Sequence, residues 1–149
     1  MAKPILALDF DGVIHSYEKG WQDGEIYGKP TPGFFAWAAE AKIYFTLVVF
    51  SSRSHSHKGI APMRDWMAVN LWDHQCELTE QGKPKLNLEI EDFDFPTHKP
   101  KAFLTIDDRA LTFRGNWSEL PPAGLRDFTP WNNPPERKRE KAFEEVKGP

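Results

Sequence analysis

Two aspartates, Asp9 and Asp11, flank Phe10 just ahead of Gly12. Two residues apart in extended backbone, their side chains project the same way. A second carboxylate pair, Asp107-Asp108, and a hydroxyl pair followed by a guanidinium, Ser51-Ser52-Arg53, occur further along. Four carboxylates drawn together repel one another, and a divalent cation relieves that repulsion. An all-oxygen donor set without a cysteine or histidine cluster favours Mg²⁺ over Zn²⁺. Such an ion completes its octahedron with water and phosphate oxygens. It also screens a carboxylate from an anionic phosphate, so that the carboxylate can act as nucleophile. Neighbouring hydroxyl, ammonium and guanidinium groups then stabilise the charge on a transferring phosphoryl group.

These residues need elements to bring them together. Each cluster closes an apolar run: Ile5-Leu6-Ala7-Leu8 ends at Asp9, Ile43 to Phe50 ends at Ser51, and Ala102 to Ile106 ends at Asp107. Continuous apolar runs of this length read as buried parallel strands. Thr31-Pro32-Gly33 predicts a helix start, with Thr31 as N-cap and Pro32 at the first helical position. Phe34, Phe35, Trp37, Ala38 and Ala41 form its apolar face. A second helix is predicted over 60–72, with Ile60, Met63, Met67 and Leu71 on one face and Pro62 in its first turn. Leu86 to Ile90 alternates like a strand, and Ala110 to Phe113 reads as a further short one. Residues 12–32 read as an irregular loop, 121–135 as an extended Pro-rich segment and 136–146 as a charged helix. Strands alternating with helices predict an α/β fold with a mainly parallel sheet. Ligands bind outside the carboxyl ends of such strands, so neighbouring parallel strands would gather all three clusters at one edge.

The 149 residues fit one domain, 1–149, with 121–149 as a Pro-rich and charged extension. The net charge of -3 supplies no global attraction to nucleic acid or membrane. Cys76 is the single cysteine, so no intrachain disulfide forms, and a reducing, cytoplasmic setting is the simplest expectation. The apolar start is too short for a signal peptide, and no run reaches membrane-spanning length.

Leu8-Asp9-Phe10-Asp11-Gly12-Val13, Val49-Phe50-Ser51-Ser52-Arg53, Lys99-Pro100 and Leu104-Thr105-Ile106-Asp107-Asp108-Arg109 occur in that order. In this the chain resembles the phosphatase branch of the haloacid dehalogenase superfamily, over roughly residues 5 to 115. The resemblance implies a Rossmann-like three-layer sandwich and a Mg²⁺-dependent phosphomonoester hydrolase. It makes Asp9 the nucleophile and a metal ligand. Asp11 becomes the general acid/base, with its carbonyl on the metal. Ser51 hydrogen-bonds the phosphoryl oxygens, and Lys99 pairs with Asp9 and the phosphate, with Lys101 competing for the lysine role. Asp108 is the direct metal ligand and Asp107 stands behind it or binds through water, with the order of the two left open. Gly12, Ser52 and Arg53 are implied to lie against substrate.

Too few residues separate the motifs for the large cap domain that some members carry. An open site is therefore expected, admitting a bulky phosphorylated substrate or borrowing a lid from a second copy in a homodimer. Asp107-Asp108-Arg109 is similar to the motif in the phosphatase half of polynucleotide kinase-phosphatases. A nucleic-acid 3′-phosphate thus stands beside a nucleotide or small phosphometabolite as substrate. A binding module that keeps the fold without turnover is the alternative class.

Plainer readings stand beside these. Ser51 and Ser52 can cap the segment that follows, and Arg53 and Arg109 can simply pair with surplus carboxylates. His55 and His57 read as a solvated loop. His15 is a minor candidate for touching substrate, and Trp21 and Tyr27 for stacking on a base or packing their loop. Arg137-Lys138-Arg139 reads as a solvated helix face.

Overall fold

The computed structural model describes residues 2–132. The chain groups into two compact units, the first ending at Asp107 and the second beginning at Asp108. That boundary falls ahead of the extension expected from residue 121.

The first unit contains β1 (Ile5–Leu8), α1 (Phe34–Tyr44), β2 (Thr46–Val49), α2 (His57–Glu80), β3 (Phe93–Asp94) and β4 (Leu104–Ile106). The strands form one sheet in the order β3-β2-β1-β4, and every neighbouring pair is parallel. The α/β class and the parallel sheet are therefore present. Leu8 stands opposite both Val49 and Ile106, so β2, β1 and β4 end level. The ladder runs one residue further, with Asp9 N–H donating to Ile106 O at 3.0 Å and Phe50 N–H to Leu8 O at 3.0 Å. The helical crossovers from β1 to β2 and from β2 to β3 step in one direction, and β4 then lies on the other side of β1. The order reverses between β1 and β4, which makes that crevice the topological switch point.

The core is a single cluster. Leu6, Leu8, Leu47 and Val49, alternate residues that share one sheet face, pack with Phe34, Phe35 and Ala38 of α1 and with Ile60, Met63 and Met67 of α2. Both long helices thus cover the same face, and Phe35 of α1 meets His74 of α2.

Several boundaries differ from the sequence reading, each for a local reason. The N-cap of α1 is Gly33, not Thr31; the Thr31 hydroxyl instead donates to Val13 O at 2.7 Å. Ile43 and Tyr44 belong to α1, on its exposed side, and the strand waits until Thr46. The second helix begins at His57 and continues to Glu80, so Pro62 sits in its second turn, where it removes one backbone hydrogen bond. Its added ends are polar and carry no apolar period to read. The short strand β3 falls at Phe93–Asp94, and Leu86 to Ile90 is not a strand.

The second unit holds a 3-10 turn, Trp117–Glu119, whose start is capped by the Asn116 side chain, and the short helix α3 (Pro122–Leu125). Residues 110–113 form no strand, and α3 interrupts the segment expected to be extended. The helix predicted over 136–146 and Arg137-Lys138-Arg139 lie outside the described residues. Among the described residues no helix is long and apolar enough to cross a membrane.

Candidate functional site

The level ends of β2, β1 and β4 bring Ser51, Asp9 and Asp107 to one edge of the sheet. Carboxylate oxygens of Asp9 and Asp107 lie within 4.8 Å of each other, across the switch point between β1 and β4. Beside them an apolar cavity of about 280 Å³ is lined by Leu8, Val13, Phe34, Trp37 and Ile106, among others. Asp108 follows as the first residue of the second unit. Its side chain is buried, and Arg109 Nε approaches its Oδ2 at 3.8 Å. That contact matches the pairing read for Arg109.

After β1 the chain turns sharply. Val13, Ile14 and His15 all donate their N–H to Phe10 O, and Gly12 takes a φ of 84° that suits glycine. Phe10 points into the core, while Asp11 turns outward into a nest of donors. Arg53 Nε donates to Asp11 Oδ2 at 2.7 Å, and Arg53 Nη2 to Asp11 Oδ1 at 3.2 Å. His15 Nδ1 lies 3.0 Å from the same Oδ1. The tautomer of His15 follows from its other side. Gly28 N–H points at Nε2 from 2.9 Å, and a backbone N–H can only donate. Nε2 is therefore the acceptor, and the proton sits on Nδ1, which donates to Asp11.

Burial pushes the Asp11 carboxyl up, but the hydrogen bonds from His15 and Arg53, together with the Arg53 charge, outweigh it. The net effect holds Asp11 below its ordinary value. In this arrangement Asp11 is ionised at neutral pH, able to take a proton.

Arg53 is buried and thoroughly engaged. Beyond Asp11 it donates from Nη1 to Gly24 O at 2.6 Å, and its guanidinium lies 4.6 Å from the Trp21 ring. Its pairing with a carboxylate is thus realised. Ser51 caps the 3-10 turn that carries Arg53: its Oγ accepts from Arg53 N–H at 3.0 Å, and its own N–H donates to Ser54 Oγ at 3.0 Å. The capping role is present, and the Ser51 hydroxyl proton stays available to donate. Ser52 is exposed.

Lys99 and Lys101 are exposed in the loop before β4. Among the described residues neither forms an ion pair with Asp9, so the Lys99–Asp9 pairing implied by the resemblance is not made here. His55 closes the 3-10 turn Ser52–His55, its Nδ1 3.0 Å from Ser52 O, and His57 opens α2, so neither sits in the loop read for them, though both are exposed. Tyr27 ties its loop together, accepting from Lys19 N–H at 2.7 Å and donating to Gly20 O at 3.0 Å. His15 is the residue that the sequence underrated. It is fully buried and grips Asp11 from four residues on. The one available signal was a histidine returning so soon after two aspartates.

Comparison with protein-family models, curated proteins and solved structures finds no match to this chain.

Proposed function

We propose that this chain hydrolyses phosphomonoesters through an aspartyl-phosphate on Asp9, in the manner of the haloacid dehalogenase phosphatases that its motifs resemble. The observation that carries the reading is the meeting of Asp9 and Asp107 across the switch point, with Asp11 and Ser51 on the same level strand ends. That crevice is where a parallel sheet of this order takes its ligand. The donors there are all carboxylate oxygens, which suits Mg²⁺. Asp9 and Asp107 would hold the ion, with the Asp11 carbonyl as a further donor. When bound, it supplies the positive charge that lets a carboxylate meet an anionic phosphate.

The chain's own groups then divide the work. An Asp9 oxygen bonds to phosphorus as the ester P–O bond breaks, and the departing oxygen takes a proton from Asp11. Water next attacks the same phosphorus, gives its proton to Asp11 and releases phosphate from Asp9. Because Asp11 rests ionised, the first proton arrives with the substrate, as the phosphomonoester monoanion. Ser51 donates to a phosphoryl oxygen, and Lys99 or Lys101 meets the phosphate from the loop before β4.

Residues 12–33 and 81–103 hold loops, single 3-10 turns and β3. Neither stretch folds as a separate cap, which supports access by bulky substrates such as a nucleotide or a nucleic-acid 3′-phosphate. The test is Mg²⁺-dependent phosphate release across a panel of small phosphomonoesters and a 3′-phosphorylated oligonucleotide. Wild-type turnover is expected to vanish in Asp9→Asn, and equal inactivity of both proteins across the panel would sink the reading. Oligonucleotide turnover that falls steeply with salt would favour the nucleic-acid end.

A further inference from the structure

We infer that His15 and Arg53 are positioning residues for Asp11: together they fill one oxygen of its carboxylate and leave Oδ2 as the oxygen that exchanges protons with leaving group and water. The inference deepens the phosphohydrolase reading and rests on it. An ionised carboxylate offers about four lone-pair sites, two on each oxygen. Oδ1 receives His15 Nδ1 and Arg53 Nη2, which fills both of its sites. Oδ2 receives Arg53 Nε alone, which leaves one site. A two-pronged guanidinium and an imidazole arriving from another direction also fix the carboxylate plane, which a single ion pair does not.

Both donors are themselves held from the loop that follows the first aspartates. Arg53 is anchored by Gly24 O and Trp21. His15 is anchored by Gly28 N–H, and Gly28 O in turn accepts from Trp66 Nε1 of α2 at 3.2 Å. Phe10, Tyr17, Tyr27 and Trp66 surround the imidazole, with ring centroids 5.1 to 5.9 Å away. A ring so enclosed has one orientation. The aim of Asp11 is therefore set by loop and helix residues outside the strand-end clusters.

Leaving-group chemistry separates this role from simple support. A nitrophenolate departs as a stable anion without a proton, whereas an alkoxide needs one as the P–O bond breaks. The experiment compares 4-nitrophenyl phosphate with benzyl phosphate, using the full chain with Mg²⁺ and following thermal unfolding alongside. The variants are Arg53→Lys, His15→Leu and Gly28→Ala. An added Cβ at Gly28 would meet the Ser16 hydroxyl and lie 2.7 Å from His15 Nε2, so Gly28→Ala crowds Ser16 and the imidazole without touching Asp11.

The expected result is a kcat/KM loss of about 100-fold on benzyl phosphate and under about fivefold on 4-nitrophenyl phosphate, because kcat/KM reports the step in which the leaving group departs, whereas the water step that follows is common to both substrates. His15→Asn, which returns an N–H donor to the site, recovers part of the loss. Equal losses on the two substrates in folded variants would overturn the inference and leave the phosphohydrolase reading standing. So would loss of folding in all three variants, since the contacts would then serve stability. Absence of Asp9-dependent turnover in the wild type would overturn both.

Discussion

Asp11 and Arg53 form a charge pair with little solvent around it, their side chains 11% and 6% exposed. Neither partner is comfortable alone, because a buried guanidinium without its carboxylate keeps its desolvation cost and loses its compensation. Asp11→Asn keeps the shape and removes the charge. It is expected to lower stability at neutral pH by about 3 kcal/mol in urea unfolding. The sign of the pH dependence follows from the depressed Asp11 carboxyl. A depressed carboxyl contributes stability that is present above its unfolded value, about 3.9, and is lost as pH falls through its folded value. The gap between wild type and Asp11→Asn should therefore be constant near neutrality and close below about pH 4. A gap that stayed constant to pH 2 would mean that the pair contributes nothing through its charge.

At the scale of elements, the entry to α2 decides where Arg53 stands. An alanine replacing glycine in a helix ordinarily stabilises it by up to about 1 kcal/mol. At Gly59 an added Cβ would fall on the carbonyl oxygen of Arg53, a backbone atom that cannot swing aside. The steric term wins, so Gly59→Ala should destabilise by about 1–3 kcal/mol. Thermal unfolding checks the sign, and a stabilised variant would refute the close approach. This contact was invisible in the sequence, which offers no register between a loop carbonyl and a helix still to come. The strand ends were legible because each apolar run stops at a polar residue, and β1 runs over Ile5–Leu8 as read. Helix faces were legible where apolar spacing marks them, as at Ile60, Met63, Met67 and Leu71. Caps and ends were not, because Thr31 had two uses for one hydroxyl and the ends of α2 face solvent. Within the candidate site the carboxylates could be read from spacing alone. The grip of His15 and Arg53 on Asp11 could not, since it depends on how residues 12–33 return to the sheet.

For the molecule as a whole, the site sets two carboxylates side by side in a chain that is already net negative. Like charges held this close oppose folding, so a cation that binds only the folded site stabilises it by mass action. At 100 times its dissociation constant that gain is about 2.7 kcal/mol, or about 5–10 °C in Tm for a chain of this size. The wild type is expected to unfold at a higher temperature in Mg²⁺ than in a chelator, with Ca²⁺ and K⁺ as controls for general screening. Asp107→Asn tests the ligand set, because it removes one carboxylate donor from the pair. It should abolish the rise in Tm that Mg²⁺ gives the wild type. If the wild type gains no more from Mg²⁺ than from K⁺ at equal ionic strength, the carboxylates are a solvated strand edge, and the proposed chemistry loses its cation. If Mg²⁺ still stabilises Asp107→Asn fully, the ion sits elsewhere and the switch point is not its site.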